Sequence, residues 1–476
     1  MGRGRAPAYL LIGASAALAA VAAAGATPVV RTISHGTPFA SCSLDGRAPP
    51  GLFVGAEVEP SLAANPRAPR NLVAVYQVDR WTNGAARGIA ASFTHDGGAT
   101  WREVPLPFSA CAHGGLRSFA RASDPWVSFD PAGRAYAIAL GPGIEVSTSA
   151  DGGRRWSPPK VLATNSGRYV VDKCAVTADP ARANVAYAVW ERYLRRSSGP
   201  PIESDTMLAI TRDGGRSWSS PRVILPHGDK AGPMSSVILG DSRRKQLLHL
   251  AEWQAGGFPA PDLAHETLLE LQVSRDGGRT WSPPRRIARV RTVGGDLRDP
   301  ATRRVIRPSV ASFGLDRRSG AMYAAWTDSR FAAGKTDQVV IARSTDGGRT
   351  WSAPARVATG AKGISIIPSV AAAGGRVAVT YFAPAARRRG LRAPFRYVLA
   401  LSRDGGRTFR STPVGAPFDL SDAPALAGDP SLLVPPGLFL GDYMGLIARR
   451  AGFATAFVTT NPVVTNRTDV RFARLG

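Results

Sequence analysis

An eight-residue motif recurs six times in this chain and constrains its fold more than any other feature. Each copy runs from a Ser or Thr through Asp-Gly-Gly to an aromatic residue, as in THDGGATW at residues 94–101. The aspartates of the six copies are Asp96, Asp151, Asp213, Asp276, Asp346 and Asp404. Successive copies are 55 to 70 residues apart, so the chain is built from repeated modules rather than from unrelated domains.

The residue types of the motif are those of a tight turn between two strands. An Asp side chain accepts hydrogen bonds from the backbone N–H groups of such a turn, and the paired glycines adopt positive φ without steric cost. The aromatic residue then begins the next strand. Six near-identical copies favour a structural role for these aspartates over catalysis or metal binding. We call each copy a clamp.

Short apolar stretches around each clamp predict four strands per module. The first strand often opens on a Pro-Ser-like pattern, as in EPSLAA at Glu59 and RPSVAS at Arg307. Two further strands lead into the clamp, and a short strand follows it. Four-stranded modules of this length are typical of β-propeller blades. The sequence therefore predicts an all-β protein that forms one propeller.

Residues 57–476 comprise 420 residues, which accommodates about seven such blades. The last module lacks a clamp, and a strand within residues 27–56 is predicted to supply its fourth strand, which would leave no long open edge. Six blades with an additional hairpin are the alternative.

The first 26 residues are typical of an export signal. Arg3 and Arg5 precede an apolar run over residues 9–24, and Ala-Gly-Ala at 24–26 resembles a cleavage site. An uncleaved N-terminal anchor is the alternative. We therefore expect a secreted, extracellular protein that has no membrane contact once processed.

The charge balance is strongly basic, with 60 Lys and Arg against 35 Asp and Glu, a net charge of +25. Arginine dominates and is scattered along the chain, which favours a GC-rich coding sequence over selection for a polyanionic partner. The sequence contains no nucleic-acid recognition motif, and its cysteine and histidine spacings match no metal site. We expect no nucleic-acid partner, no metal, no cofactor and a monomer.

The octets resemble the Asp-box, or bacterial neuraminidase repeat, and the chain after residue 56 is similar to sialidase-superfamily propellers. The resemblance implies a site around the propeller axis, on the face where first strands begin and second strands end. It implies a glycan or glycoconjugate ligand and a glycoside hydrolase of the exo-sialidase type. A non-catalytic propeller that binds glycan or protein on this face is the alternative. Cys42 and Cys111 both precede first strands and so lie near this face, which favours a disulfide between them.

The resemblance also assigns roles to residues at the starts of first strands and the ends of second strands. Sialidases hold the substrate carboxylate with three arginines and use a Tyr nucleophile, a Glu that assists it and an Asp acid/base. The positions here that match as catalytic residues are Tyr443, Glu59 and Asp337. Those that match as substrate-binding residues are Arg307, Arg330, Asp328, Asp124 and Arg80.

The chain departs from the family pattern at its first blade. The family places an Arg-Ile-Pro motif there, and this sequence has Val58-Glu59-Pro60 instead. A Glu at this position would repel a carboxylate substrate. The nearest match, Arg307-Pro308-Ser309, lies in the fifth module.

Overall fold

The computed structural model is built almost entirely of β-strands, as the sequence predicts. The described residues are 1–2, 28–42, 51–115, 121–194, 203–228, 231–255, 267–293, 305–306, 310–357, 363–385, 394–427, 436–463 and 466–476. Within these ranges the helical elements are two single 3₁₀ turns, Arg330–Ala332 and Leu420–Asp422. No helix within the described ranges has the length and hydropathy needed to cross a membrane. The predicted export signal falls mostly on residues outside these ranges.

Seven antiparallel four-stranded sheets form the blades. A short strand, β1 (Val30–Thr32), precedes them. Blades one to four contain β2 (Leu52–Ala64), β3 (Leu72–Trp81), β4 (Ala86–Thr94) and β5 (Arg102–Pro105); β6 (Ser123–Phe129), β7 (Ala135–Leu140), β8 (Gly143–Ser149) and β9 (Lys160–Thr164); β10 (Tyr169–Ala178), β11 (Ala186–Leu194), β12 (Glu203–Thr211) and β13 (Arg222–Gly228); β14 (Ala231–Asp241), β15 (Gln246–Ala255), β16 (Thr267–Ser274) and β17 (Arg285–Val290).

The remaining strands form blades five to seven and one small sheet. They are β18 (Val305–Ile306); β19 (Ser312–Asp316), β20 (Ala321–Asp328), β21 (Gln338–Ser344) and β22 (Ala355–Arg356); β23 (Ile366–Ala373), β24 (Arg376–Pro384), β25 (Pro394–Ser402) and β26 (Arg410–Asp419); β27 (Ala425–Leu426) and β28 (Gly437–Leu438); and β29 (Gly445–Arg449), β30 (Gly452–Thr460) and β31 (Thr468–Leu475). Strands β18, β28 and β27 form the small sheet.

Strand β1 is the fourth strand of blade seven. It pairs antiparallel with β31, with Val30 opposite Ala473, and the pairing continues as the Ile33 N–H donates to the Val470 carbonyl at 2.9 Å. The seven-bladed prediction is therefore confirmed. The disulfide between Cys42 and Cys111 is confirmed as well, and Cys174 is buried as a free thiol.

The first strands of the blades contact one another in a ring around the axis. Hydroxyl side chains on these strands bond the backbone of the next blade, so that neighbouring blades are joined at the centre. The bonds are Ser61 Oγ with Val127 N, Ser128 Oγ with Ala178 N, Thr177 Oγ1 with Ile238 O, Ser312 Oγ with Val370 N and Ser369 Oγ with Met444 O. These bonds fix the strands that carry the candidate site.

The clamps stabilise turns at the face of the propeller opposite the starts of the first strands. In the first clamp, Asp96 accepts from the Ala99 N–H at 2.7 Å and from the Thr100 N–H at 3.0 Å, while the Gly98 N–H donates to the Thr94 hydroxyl at 3.1 Å. These donors lower the pKa of Asp96, the Thr100 hydroxyl most strongly. Gly98 has φ of +97° and lies against Phe472 of blade seven, where a Cβ would clash. The Asp96 carboxylate therefore bonds groups of its own turn, while the Gly97 N–H donates to the Arg70 carbonyl outside the turn at 2.7 Å.

Candidate functional site

Five of the first strands have a register shift: β2, β6, β10, β14 and β23. In four of them, β2, β6, β10 and β23, one residue of the bulge has left-handed backbone. These residues are Glu59, Asp124, Lys173 and Ile367, with φ between 51° and 56°. A bulge re-aims a side chain, and left-handed backbone in a non-glycine residue persists only where its surroundings enforce it. Three adjacent blades thus present charged side chains from equivalent positions.

These side chains meet a fourth from blade seven. Lys173 Nζ forms an ion pair with Asp124 Oδ1 at 3.5 Å and a shorter one with Asp442 Oδ2. One carboxylate oxygen each from Glu59, Asp124 and Asp442 lies within 4.8 Å of the others, and all three residues are buried. We call Glu59, Asp124, Lys173 and Asp442 the axial cluster. Lys173 supplies the positive charge that a buried group of carboxylates requires.

Glu59 is the most deeply buried carboxyl of the axial cluster. It accepts hydrogen bonds from Gln77 Nε2 and from the Asp442 backbone N–H, the latter at 3.1 Å. Burial, and then the charges of Asp124 and Asp442, raise the pKa of Glu59 to about 8. Glu59 is therefore a protonated carboxyl at neutral pH.

Arg80 reaches the cluster indirectly. Its Nη1 donates to Gln77 Oε1 at 2.8 Å, and its guanidinium lies 4.1 Å from the centre of the Phe439 ring. Gln77 therefore links Arg80 to Glu59.

Tyr443 lies beside the cluster as a neutral phenol. Its hydroxyl donates to the Pro125 carbonyl at 2.7 Å, and its ring contacts Trp126 edge to face, with centroids 5.1 Å apart. Burial, followed by the nearby charges of Glu59 and Asp124, raises the pKa of Tyr443 well above its usual value. Ionising this hydroxyl is unfavourable in the resting structure.

A cavity of about 160 Å³ runs along the axis, and three members of the cluster line it. Asp124, Lys173, Asp442 and Tyr443 provide polar groups. The first strand of every blade contributes to the wall, through Ser61, Trp126, Ala175, Val237, Phe313, Val370 and Leu446. The cavity therefore combines a charged end group with apolar walls, the usual composition of a ligand site.

Two further carboxyl groups are buried in neighbouring blades. Glu191 accepts from Ser236 Oγ at 2.6 Å and from Thr206 Oγ1 at 2.9 Å, and burial raises its pKa to about 8. Glu252 accepts from the Ala311 N–H at 2.6 Å, and burial raises its pKa to about 7. Ser236 lines the cavity, so Glu191 supports the wall from behind.

A second group of charged side chains lies near residues 289–293 and contains Asp328, Arg330 and Asp337. Arg330 bonds both oxygens of Asp328, at 2.7 and 2.8 Å. Asp337 accepts from Thr292 Oγ1 at 2.6 Å and from the Val293 N–H at 3.1 Å. These contacts anchor that segment, and the proposed roles of the three residues in substrate binding and acid/base chemistry stay predictions. Arg307 lies outside the described residues.

Sequence reasoning brought together Glu59, Asp124 and Tyr443 but missed Lys173. In blade three the bulge follows Asp172, and it is Lys173 that has the left-handed backbone of Glu59 and Asp124. Aligning Lys173-Cys174 with Asp124-Pro125 and Glu59-Pro60 would have identified the lysine, because the second residue of each pair completes the bulge.

The seven blades define this chain as a β-propeller, and its six clamps are similar to the Asp-box repeat. The family model described as BNR/Asp-box repeat matches residues 272–283, which contain the fourth clamp.

A sialidase of Bacteroides fragilis is 29% identical over 96 residues, which is 17% of this chain and 18% of that sialidase. The match thus spans less than a fifth of the relative's length. Among solved structures, an ulvan lyase of a new polysaccharide lyase family, bound to -[GlcA(1-4)Rha3S]-, has a TM-score of 0.50 at 13% identity and covers 90% of this chain and 95% of its own. A Hadza microbial sialidase has a TM-score of 0.42 at 17% identity, covering 68% of this chain and 63% of its own.

Proposed function

We propose that this protein is a carbohydrate-active propeller that binds a glycan at the axial cluster and hydrolyses a glycosidic bond there. The observation that carries the proposal is the group of three carboxyls, Glu59, Asp124 and Asp442, with oxygens within 4.8 Å of one another beside a cavity. The Asp-box repeat and the sialidase similarity support a carbohydrate ligand.

The chemistry follows from the different environments of the carboxyls. Glu59, with its pKa of about 8, holds a proton at neutral pH and can donate it to the leaving oxygen as general acid. Asp124, compensated by Lys173, serves as the carboxylate that attacks the anomeric carbon as its bond to the leaving oxygen breaks. Water then hydrolyses the glycosyl ester, with Glu59 as the base that takes the proton. Carboxyl groups about 5 Å apart are typical of hydrolases that retain anomeric configuration, so we expect retention.

The charge of the cluster favours a neutral sugar. Three carboxyl groups face one ammonium group, and Glu59 stands where the family resemblance places an arginine for the substrate carboxylate. A sialic acid carboxylate would be repelled by Asp124 and Asp442. Exo-sialidase activity with Tyr443 as nucleophile is therefore the less favoured form of the proposal.

Glycan binding without catalysis is a second candidate function. It is favoured by the hydrogen bonds that already occupy the reactive groups. The Tyr443 hydroxyl is bonded to Pro125, and both oxygens of Glu59 accept bonds from the protein.

A panel of neutral aryl glycosides and an aryl sialoside tests the proposal. We expect turnover of a neutral glycoside, lost by about 10²-fold or more in Asp124→Asn, with activity falling above pH 8 as Glu59 loses its proton. Loss in Asp337→Asn together with turnover of the sialoside would instead indicate the sialidase scheme. Glycan binding by calorimetry without any turnover would indicate the binding function, and neither binding nor turnover would contradict both.

We also propose that the protein is secreted, on the basis of the basic and apolar N-terminal residues. Mass spectrometry of the extracellular protein should give an N-terminus at Thr27. Retention of the whole protein in the cytoplasm would contradict this proposal.

A further inference from the structure

The face of the propeller that carries the clamps has a pocket of its own. It has a volume of about 650 Å³ and lies between the clamps of blades three and four. Three arginines line it, Arg212, Arg222 and Arg279, together with Asp213 and Trp218. Because clamps follow third strands and the axial cluster lies at the starts of first strands, this pocket is on the opposite face from the axial site.

The arginines give the pocket a fixed positive charge. Arg212 and Arg279 are exposed, and Arg222 Nη1 donates to the Arg279 carbonyl at 2.7 Å, which holds the guanidinium across the gap between the two blades. The one carboxylate, Asp213, is bonded to the Ser217 N–H at 3.0 Å and to Thr211 Oγ1 at 2.9 Å. Three guanidinium groups against one carboxylate leave two net positive charges.

The other lining groups suit a sugar. Trp218 is only partly buried and offers an indole surface on which a pyranose ring can stack. Ser219 and Ser220 are exposed beside it and can bond sugar hydroxyls. Guanidinium forks bind carboxylate and sulfate oxygens in a bidentate manner.

We propose that this pocket binds an acidic polysaccharide, through its uronate or sulfate groups, independently of the chemistry at the axial cluster. The arrangement fits a chain whose anionic groups are separated by hydroxyls. It fits the continuous charge of a phosphodiester backbone less well, because the carboxylate of Asp213 lies among the arginines.

The clamps themselves provide a matched control. Arg349 and Arg407 occupy the same clamp position as Arg279 in blades five and six, and they are exposed as well. They do not line this pocket. Removing two arginines from inside the pocket and two from outside changes the net charge equally, so a difference in affinity reports the pocket and not the charge of the whole protein.

The experiment measures binding of the full chain to an oligogalacturonate and to a heparin oligosaccharide, with dextran and duplex DNA for comparison. Arg212→Gln/Arg279→Gln should raise the dissociation constant for the bound acidic oligosaccharide at least about tenfold. Arg349→Gln/Arg407→Gln should change it less than about twofold. Circular dichroism and melting temperature check that all variants are folded.

The two acidic probes distinguish carboxylate from sulfate as the recognised group, and tight binding of either supports the proposal. Equal weakening by the two double variants would overturn it, because the binding would then be diffuse. Duplex DNA that binds as tightly as the better oligosaccharide would overturn it too, as would failure of both acidic probes to bind. None of these results depends on hydrolysis at the axial cluster, so the two proposals can fail separately.

Discussion

The pKa values of carboxyl groups are shifted in opposite directions at the two faces of the propeller. At the clamps, hydrogen-bond donors from the turn lower the pKa of each of Asp96, Asp213 and Asp346. Near the axis, burial raises the pKa of Glu59 and Glu252. The clamp carboxylates are anions at any physiological pH, whereas Glu59 and Glu252 titrate near neutrality.

The difference lies in where the partners come from. The Asp96 carboxylate bonds residues at most four positions away, so a clamp carboxylate finds its partners within its own turn and the motif can be repeated around the ring. Lys173 and Asp442 are 269 residues apart, and Asp442 and Glu59 are 383 apart, so the axial cluster exists only when the ring is assembled. A repeated motif whose carboxylate has local partners can stabilise every blade. A cluster that forms once, from residues distant in sequence, can be specialised for function.

The largest effect that this comparison predicts is for Lys173→Met. The variant leaves the buried carboxylates of Asp124 and Asp442 without this ammonium group, and removing one partner of a buried ion pair costs about 3–5 kcal/mol. Urea unfolding at neutral pH should show a loss of this size. Lys160→Met, at an exposed position in β9, is the matched control and should change stability by less than about 0.5 kcal/mol. If both variants unfold alike, the axial ion pairs contribute nothing and the contrast between the faces is wrong.

A smaller effect is expected at Glu145, a buried carboxyl in β8 that lacks both local donors and a counter-ion. Neither of its oxygens has a hydrogen-bond partner among the described residues, and burial raises its pKa to about 8. The protonated carboxyl of Glu145 makes its full contribution to the free energy of unfolding below the unfolded pKa of about 4.5. This contribution is lost as the pH rises through 8. Glu145→Gln should therefore be more stable than wild type at pH 9, by a few kcal/mol.

The same pair of proteins at pH 5 provides the control for Glu145. There the wild-type carboxyl is protonated and resembles an amide, so the two proteins should unfold at nearly the same denaturant concentration. A constant difference between pH 5 and pH 9 would mean that titration of Glu145 is not its source.

The smallest effect is expected at a clamp. Asp96→Asn removes one acceptor oxygen from a turn that is exposed to solvent, so the loss should be only about 1 kcal/mol at pH 7. Because the folded pKa of Asp96 is lowered, its contribution is present above the unfolded pKa of about 4 and disappears as pH falls. Thermal unfolding at pH 7 and pH 2 checks both points. A loss as large as that of Lys173→Met would remove the distinction between local and assembled carboxylates.

The fold could be predicted from the sequence because its signals are local. The six clamps and the strand pattern around them specified four-stranded blades, and the missing seventh clamp pointed to an N-terminal strand, where β1 now pairs with β31. The hydrogen bonds of such a turn depend on adjacent residues, so the turn can be predicted from the sequence alone.

The site was only partly predictable because its geometry depends on bulges. Pro60 and Pro125 mark two of them in the sequence, which helped to identify Glu59 and Asp124. The third bulge has Cys174 in that place, and the shift of one residue there exchanges Asp172 for Lys173 at the axis. A one-residue change in strand register redirects a side chain entirely, and only alignment with the bulges of blades one and two indicates it.

The pairing of β1 with β31 also sets the order in which the molecule can be finished. Ser34 bonds the Val470 N–H across 436 residues of sequence, so the seam cannot close before the C-terminal strand is available. Until β1 pairs with it, β31 is an open edge that can pair with another chain. The Cys42–Cys111 disulfide ties the N-terminal segment to the residues that follow blade one, which keeps β1 within reach while the other blades form. We therefore expect closure of the ring to be the last step of folding, and the disulfide, which requires an oxidising environment, to speed that step.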